Sequence, residues 1–278
     1  MPATVKGYRP AWSKQKFLAT SQDPKDLIVT PLYDQYLVKH PEMTVNPRVF
    51  RHVMDQMLVP PRDRSNSFSA SSAGLCLRRQ ELAFLKQKRN PLSDPRMVRI
   101  FNNGTMVHLR WQIGLLDGRI LRAVEHTVYL KRYRARATLD GIGEARTGRY
   151  TGAEFGWEHK GRMSFSFVQQ SHAGSPDGKT RKQVGMQMLL SALEVWSVTN
   201  ENKDTQVHEE FILERNRDEI RDAKQELVQL NDAIDRMTLH PMLPECIKQN
   251  KTGEFWQCPF GSPGGACVNS GSWPRSVR

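Results

Sequence analysis

Alternation of apolar and polar residues is clearest in "EHTVYLKRYRARATLDG", Glu125–Gly141, where a period of two predicts a strand. On that reading Arg132, Arg134, Arg136, Thr138 and Asp140 share one face, a basic stripe ending in a carboxylate. "YTGAEFGWEHKG", Tyr150–Gly161, predicts the next strand, with Glu158 and Lys160 on one face and His159 on the other. "VHEEFILER", Val207–Arg215, predicts a third. Helical spacing appears between and around these runs. "NPRVFRHVMDQML" is one short amphipathic helix. "SFSASSAGLCLRRQELAFLKQ" places a Ser-rich cap before a helix striped by Leu75, Leu82 and Leu85, with Cys76 in its first turns. "RIFNNGTMVHLRWQIGLL" predicts a helix with His108 near its middle. "KQVGMQMLLSALEVW" predicts another, with Gln183 and Gln187 one turn apart on the same side. "NRDEIRDAKQELVQLNDAIDRM" is a long amphipathic helix opened by an Asn cap. Strands interspersed with helices predict an α/β fold with a central mixed β-sheet flanked by helices.

Residues 1–65 read as an N-terminal extension or cap, punctuated by Pro10, Pro24, Pro31, Pro41 and Pro47 and closed by the linker-like "VPPRDRSNS". A core is expected over 66–240. The tail, 241–278, is rich in Gly and Pro. No repeat or low-complexity tract interrupts the chain. Its 41 Lys and Arg residues against 29 Asp and Glu, a formal net charge of +12, favour a phosphate-bearing partner, with nucleic acid the commonest and a membrane surface the competitor. No apolar run approaches the length of a bilayer span, and "MPATVKGYRPAWSKQK" lacks a signal-peptide core. The expectation is a soluble, cytoplasmic protein without a membrane partner.

Cleaving a phosphodiester at neutral pH calls for a hard cation, oxygen ligands and an activated water. Asp140 and Glu158, at the ends of adjacent predicted strands, are placed to share Mg2+. Lys160 sits two residues on, beside the water or the phosphate. His108 adds a nitrogen that Mn2+ tolerates better than Mg2+ does. Read singly, each has a plain alternative: a turn residue for Asp140, a solvated pair for Glu158 and Lys160, a core histidine for His108.

The order of these residues resembles the PD-(D/E)XK nuclease superfamily, in its RecB-like exonuclease branch, which includes CRISPR-associated and stand-alone phage exonucleases. The resemblance rests on "SASSAGLC" with "RR", "NGTMVH", "LDGIGE" followed by "WEHK", and "KQVGMQMLL". It implies a restriction-endonuclease-like core. It implies Asp140 and Glu158 as metal ligands, with His108 and the backbone carbonyl of His159 as further ones. Lys160 would activate the water, and a glutamine of the following helix, Gln187 in preference to Gln183, would serve the site. Leu139 stands where the family has proline, and no tyrosine follows the glutamines at the usual place. The implied activity is a Mg2+- or Mn2+-dependent DNA exonuclease of recombination, repair or phage DNA processing, with recombination or helicase proteins as possible partners. Arg78, Arg79, Arg132, Arg134 and Arg136 would guide the DNA backbone without reading bases.

Four cysteines, Cys76, Cys246, Cys258 and Cys267, match in number the thiolates of a 4Fe-4S cluster. One before the core and three after it is the arrangement of the related iron–sulfur nucleases, which implies a cluster stapling the tail to the first helix. The chain lacks their C-x-x-C, and zinc or unrelated thiols are the alternatives. "AGSPDGKT", Ala173–Thr180, satisfies a relaxed phosphate-loop pattern, which offers ATP binding as an alternative. The plainer reading is a polar loop touching DNA through Lys179, Arg181 and Lys182. A non-catalytic DNA-binding or assembly protein on the same fold is the remaining class.

Overall fold

The computed structural model describes residues 20–42, 45–58, 66–89, 95–243, 258–261 and 266–269. In chain order the elements are β1 (Thr20–Ser21), α1 (Thr30–Lys39), α2 (Pro47–Leu58), β2 (Phe68–Ser69), α3 (Leu77–Phe84), α4 (Pro95–Asp117), β3 (Leu121–Leu130), β4 (Ala135–Glu144), β5 (Glu154–Arg162), α5 (Ser164–Ala173), α6 (Gly178–Ser191), β6 (Val195–Asn202), β7 (His208–Glu214) and α7 (Arg217–Asp235). The strands form one sheet in the order β1-β7-β6-β5-β4-β2, with β3 also on β4. β5–β6 and β2–β4 are parallel and the remaining pairs antiparallel, so the sheet is mixed, as expected from the sequence. Residues of α3, α6 and α7 pack with β4 and β6 in one apolar cluster. Residues of α1, α2 and α4 pack with Phe155 and Trp157 of β5 in the other. Among the described residues no helix is long and apolar enough to cross a membrane.

The single strand expected over Glu125–Gly141 is a hairpin. β3 ends at Leu130, residues 131–133 form a 3-10 turn, and Arg134 sits in the left-handed region (φ 47°) before β4 begins. The five-residue basic stripe is therefore broken: Arg132 lies over the Tyr133 ring and Arg134 pairs with Asp235, leaving Arg136, Thr138 and Asp140 on β4. The helix expected over Lys182–Trp196 starts earlier, at Gly178, and stops at Ala192, whose left-handed backbone turns the chain into β6. β6 escapes a period-two reading because every one of its residues is buried, including Ser197, Thr199, Asn200, Glu201 and Asn202. Burial of these polar groups is sustained by partners: Trp157 donates to the Thr199 hydroxyl, Ser197 to Glu210, and Asn200 to Gln170. The Ser-rich run expected as the cap of α3 instead holds β2 and a 3-10 turn, and Cys76 occupies the cap position without a side-chain capping bond.

The described part of residues 1–65 is built into the core. β1 adds to the sheet edge through Thr20↔Leu213, and Tyr33 of α1 stacks on Trp111 of α4 at 4.1 Å between ring centroids. The buried Glu210 carboxylate accepts from the amides of Ile28, Val29 and Thr30 and from the Thr30 hydroxyl. That carboxylate takes the exposed amides at the start of α1, where a negative charge also suits the helix dipole.

Candidate active site

β4 carries β3 along one edge. On its other edge it pairs with β2 at Ala135 and Arg136 and with β5 at Gly141–Glu144. Asp140 stands between those two partners, at the point where β4 and β5 part. There its Oδ2 accepts from the backbone N–H of His159 at 2.9 Å, so a side chain replaces the next ladder bond. One register step beyond Gly141↔Trp157, Asp140 faces Glu158.

Glu158 is 1 % exposed and has partners at both carboxylate oxygens. Gln183 Nε2 donates to its Oε1 and Gln187 Nε2 to its Oε2, each at 2.8 Å. The Lys160 ammonium pairs with Oε1 and also donates to Gln183 Oε1 at 3.2 Å. Residues 158 and 160 share a face by the strand period, and residues 183 and 187 by the helix period, so β5 and α6 present matching pairs. Gln187, the preferred glutamine, and Gln183, its alternative, hold the same carboxylate.

His108 brings its Nδ1 to 3.6 Å from Asp140 Oδ2. Burial pushes its pKa down to about 4, with the Glu158 charge opposing and Lys160 and Lys203 adding to the fall. The imidazole is thus neutral at neutral pH. Burial, and then the Glu158 charge, raise Asp140 well above the usual carboxylate range; Lys160 and the His159 amide pull the other way. Burial alone would lower Lys160, but the Glu158 and Asp140 charges outweigh it and keep the ammonium charged. His159 turns its ring inward, 4.9 Å from Trp111 and 5.6 Å from Trp157 between centroids, with Nδ1 2.8 Å from the Thr199 hydroxyl. Burial holds that ring neutral.

Two neighbours of Asp140 escaped the sequence reading. Gln112 donates to Glu125 at 2.7 Å and to the Asp140 carbonyl at 3.2 Å. Glu125 faces Asp140 across the β3–β4 register, between the pairs Val124↔Gly141 and His126↔Leu139, and its charge adds to the rise at Asp140. Gln112 was within reach, being one helical turn beyond His108. Glu125 was not, because its place depends on the hairpin.

A buried carboxylate and a half-buried one at a strand fork, the latter driven toward its protonated form, make a site that a divalent cation fits: an ion would supply the positive charge that one lysine does not. Among the described residues no three His, Cys, Asp or Glu side chains surround one ion position. Asp140 and Glu158 are the two carboxylates that an ion at the fork would meet.

Beside this fork lies a polar groove of about 520 Å3, lined by Ser69, Ser71 and Ser72 and by Arg79, Lys86, Arg89, Arg136 and Lys179, with no acidic residue. Burial lowers the pKa of Lys179, on the groove wall, and the neighbouring charges of Lys160 and Arg79 lower it further. Arg79, Arg136 and Lys179 of the expected DNA contacts are here. Others serve the interior. Arg78 donates to the His240 carbonyl at 2.8 Å, Arg181 is buried against Glu219 at 2.9 Å, and the Lys182 stem packs on Gly74.

No protein-family model matches the chain, and no curated protein matches it. Solved structures do. An alkaline exonuclease (LHK-Exo) from Laribacter hongkongensis is similar, with TM-score 0.47 and 14% identity over 62% of this chain and 90% of that one. The same exonuclease in complex with dAMP gives TM-score 0.43 and 15% identity over 62% and 90%. SSO0001 gives TM-score 0.43 and 15% identity over 82% and 96%.

The described residues give the iron–sulfur expectation no support, since no three metal-binding side chains gather, cysteines included. Cys76 caps α3, while Cys258 and Cys267 lie in a small apolar cluster with Leu82 and Phe260; Cys246 lies outside the described residues. The tail meets α3 through that cluster and through Arg78, which reaches the Cys267 carbonyl at 3.4 Å. The phosphate-loop reading fails on geometry. A helix, α5, precedes the loop where a strand is required. Asp177 already caps α6, accepting from the Thr180 amide at 2.9 Å and pairing with Arg162, so a carboxylate occupies the place of a phosphate.

Proposed function

We propose that the chain is a divalent-cation-dependent deoxyribonuclease that hydrolyses phosphodiester bonds at DNA ends. What supports this is the meeting of Asp140, Glu158 and Lys160 at the parting of β4 and β5, together with a groove lined by five cationic side chains, one of which, Lys179, is close enough to interact with the Lys160 charge. Asp140 and Glu158 would hold Mg2+ or Mn2+, which when bound polarises the phosphate and acidifies a water. Gln183 and Gln187 fix the Glu158 carboxylate in place. Lys160, held charged, steadies a water for attack and offers its ammonium to the negative charge that grows on the phosphate oxygens. Neutral His108 stands beside Asp140, able to lend a lone pair or take a proton. The groove neutralises backbone phosphates without addressing base edges, so cleavage is expected to be sequence-tolerant and strongly weakened by salt.

Digestion of linear single-stranded, linear duplex and covalently closed circular DNA with Mg2+ or Mn2+ tests the proposal. Wild type is expected to release nucleotides from linear DNA and to spare the circle. Lys160→Ala is expected to lose at least ~100-fold in rate. Inactive wild type with both metals overturns the enzyme reading. A fully active Lys160→Ala overturns the site.

A further inference from the structure

The carboxylates have a second flank, toward α4, that the groove residues do not reach. Lys203, in the turn between β6 and β7, occupies it. Its stem crosses Gly161 so closely that a Cβ there would lie 2.5 Å from Lys203 Cε, and its ammonium lies 3.7 Å from where a Cβ of Gly104 would stand. Gly104 is one turn before His108 on α4, and His108 feels the Lys203 charge. Lys203 makes no ion pair among the described residues. The turn that carries it is pinned to the start of α5. Lys203 N–H donates to the Arg162 carbonyl at 2.8 Å, and Asp204 accepts from Ser164 N–H at 3.1 Å and from the Ser164 hydroxyl, which engages that carboxylate. The next residue, Phe165, is 77% exposed, flanked by exposed Met163 and Val168. An exposed phenyl ring on the residue after the anchored Ser164, and an ammonium without an ion pair on the residue before the Asp204 that anchors it, have the make-up of a single-strand platform: cation for backbone, aromatic face for base.

We propose that Lys203 and Phe165 form a binding subsite for one nucleotide of single-stranded DNA, Lys203 taking the phosphate and Phe165 stacking on the base. The choice of DNA as occupant rests on the nuclease reading and on the continuity of this flank with the carboxylates.

The test is equilibrium binding of a fluorescein-labelled single-stranded oligothymidylate in EDTA, followed by anisotropy over a salt series. Phe165→Ala is expected to weaken binding roughly ten-fold, and to have no effect on a matching abasic strand, which offers no base to stack. Lys203→Met, which keeps the stem over Gly161, is expected to lower the slope of log K against log salt by about 0.7. Lys203→Arg restores the slope, and Lys224→Met on α7 leaves it unchanged. Melting temperatures near that of wild type show that the variants fold. Unchanged affinity for Phe165→Ala together with an unchanged slope for Lys203→Met overturns the subsite, as does an equal loss by Phe165→Ala on the abasic strand. If the binding signatures appear but linear DNA is never cut, the nuclease reading fails and the subsite stands. If linear DNA is cut and both variants bind like wild type, the subsite fails and the nuclease reading stands.

Discussion

Glu158 is a buried anion whose two oxygens are shared among two amides and one ammonium. Removing an amide leaves a buried charge short of a partner, which costs more than the bond itself was worth. Gln183→Ala and Gln187→Ala are each expected to destabilise the protein by about 1–3 kcal/mol in chemical denaturation and to slow DNA cleavage. The double variant should depart from additivity, because both act on one carboxylate. His108 gives a pH signature. Its folded pKa, pushed by burial to about 4, lies below the unfolded 6.5. The unfolded chain therefore takes the proton first on acidification, and stability is lost as pH falls from about 6.5 toward 4. Measured as melting temperature at a series of pH values, wild type should lose on the order of 2 kcal/mol more than His108→Asn across that window. Equal slopes for the two proteins would show that the imidazole is not buried neutral.

At the scale of elements, close backbone approach sets what β5 tolerates. A Cβ at Gly156 would lie 2.5 Å from the Trp196 ring on the neighbouring β6, with which Gly156 is paired. Gly156→Ala is expected to cost about 1–3 kcal/mol through overpacking, read as a lower denaturation midpoint. Asn216 caps α7 by accepting from Asp218 and Glu219 amides, so Asn216→Ala should cost about 1 kcal/mol. Elements with strong local signals were legible: the Asn cap of α7, the amphipathic α2, the strand β7 and the helix carrying His108 all stand where periodicity and capping put them. Two were not. The β3–β4 turn carries no Gly or Pro, only a left-handed Arg134, so alternation ran through it unbroken. β6 carries polar residues on both faces, and only tertiary partners allow that in a buried strand.

For the whole molecule, the two carboxylates at the fork are expected to make stability depend on cation. Burial and the Glu158 charge raise Asp140, so its contribution is full below the ordinary carboxylate value and is lost as pH rises through the raised one. In EDTA wild type should lose more melting temperature than Asp140→Asn as pH is raised through that range. Mg2+ or Mn2+ should restore it at neutral pH, by about 2.7 kcal/mol when the ion is at a hundred times its Kd. Asp140→Asn is expected to stabilise the cation-free protein and to abolish the gain on adding the ion. A cation-independent melting temperature would speak against an ion between Asp140 and Glu158.

Local pattern alone determined the class of fold, the positions of most helices and the candidate residues Asp140, Glu158, Lys160 and His108, because spacing of two and of 3.6 survives in the linear order. The chemistry it suggested came from the order of these residues, which resembles that of a nuclease superfamily, and not from the spacing of any pair. Only the tertiary structure decided which charges face the site and which face the core. Arg78, Arg79, Arg181 and Lys182 look alike in sequence; packing sends Arg79 to the groove and Arg181 into a buried pair with Glu219. Glu125 and Lys203 are separated from Asp140 and Glu158 by turns and crossovers. Their nearness arises from strand pairing and close glycine contacts, which no local period encodes.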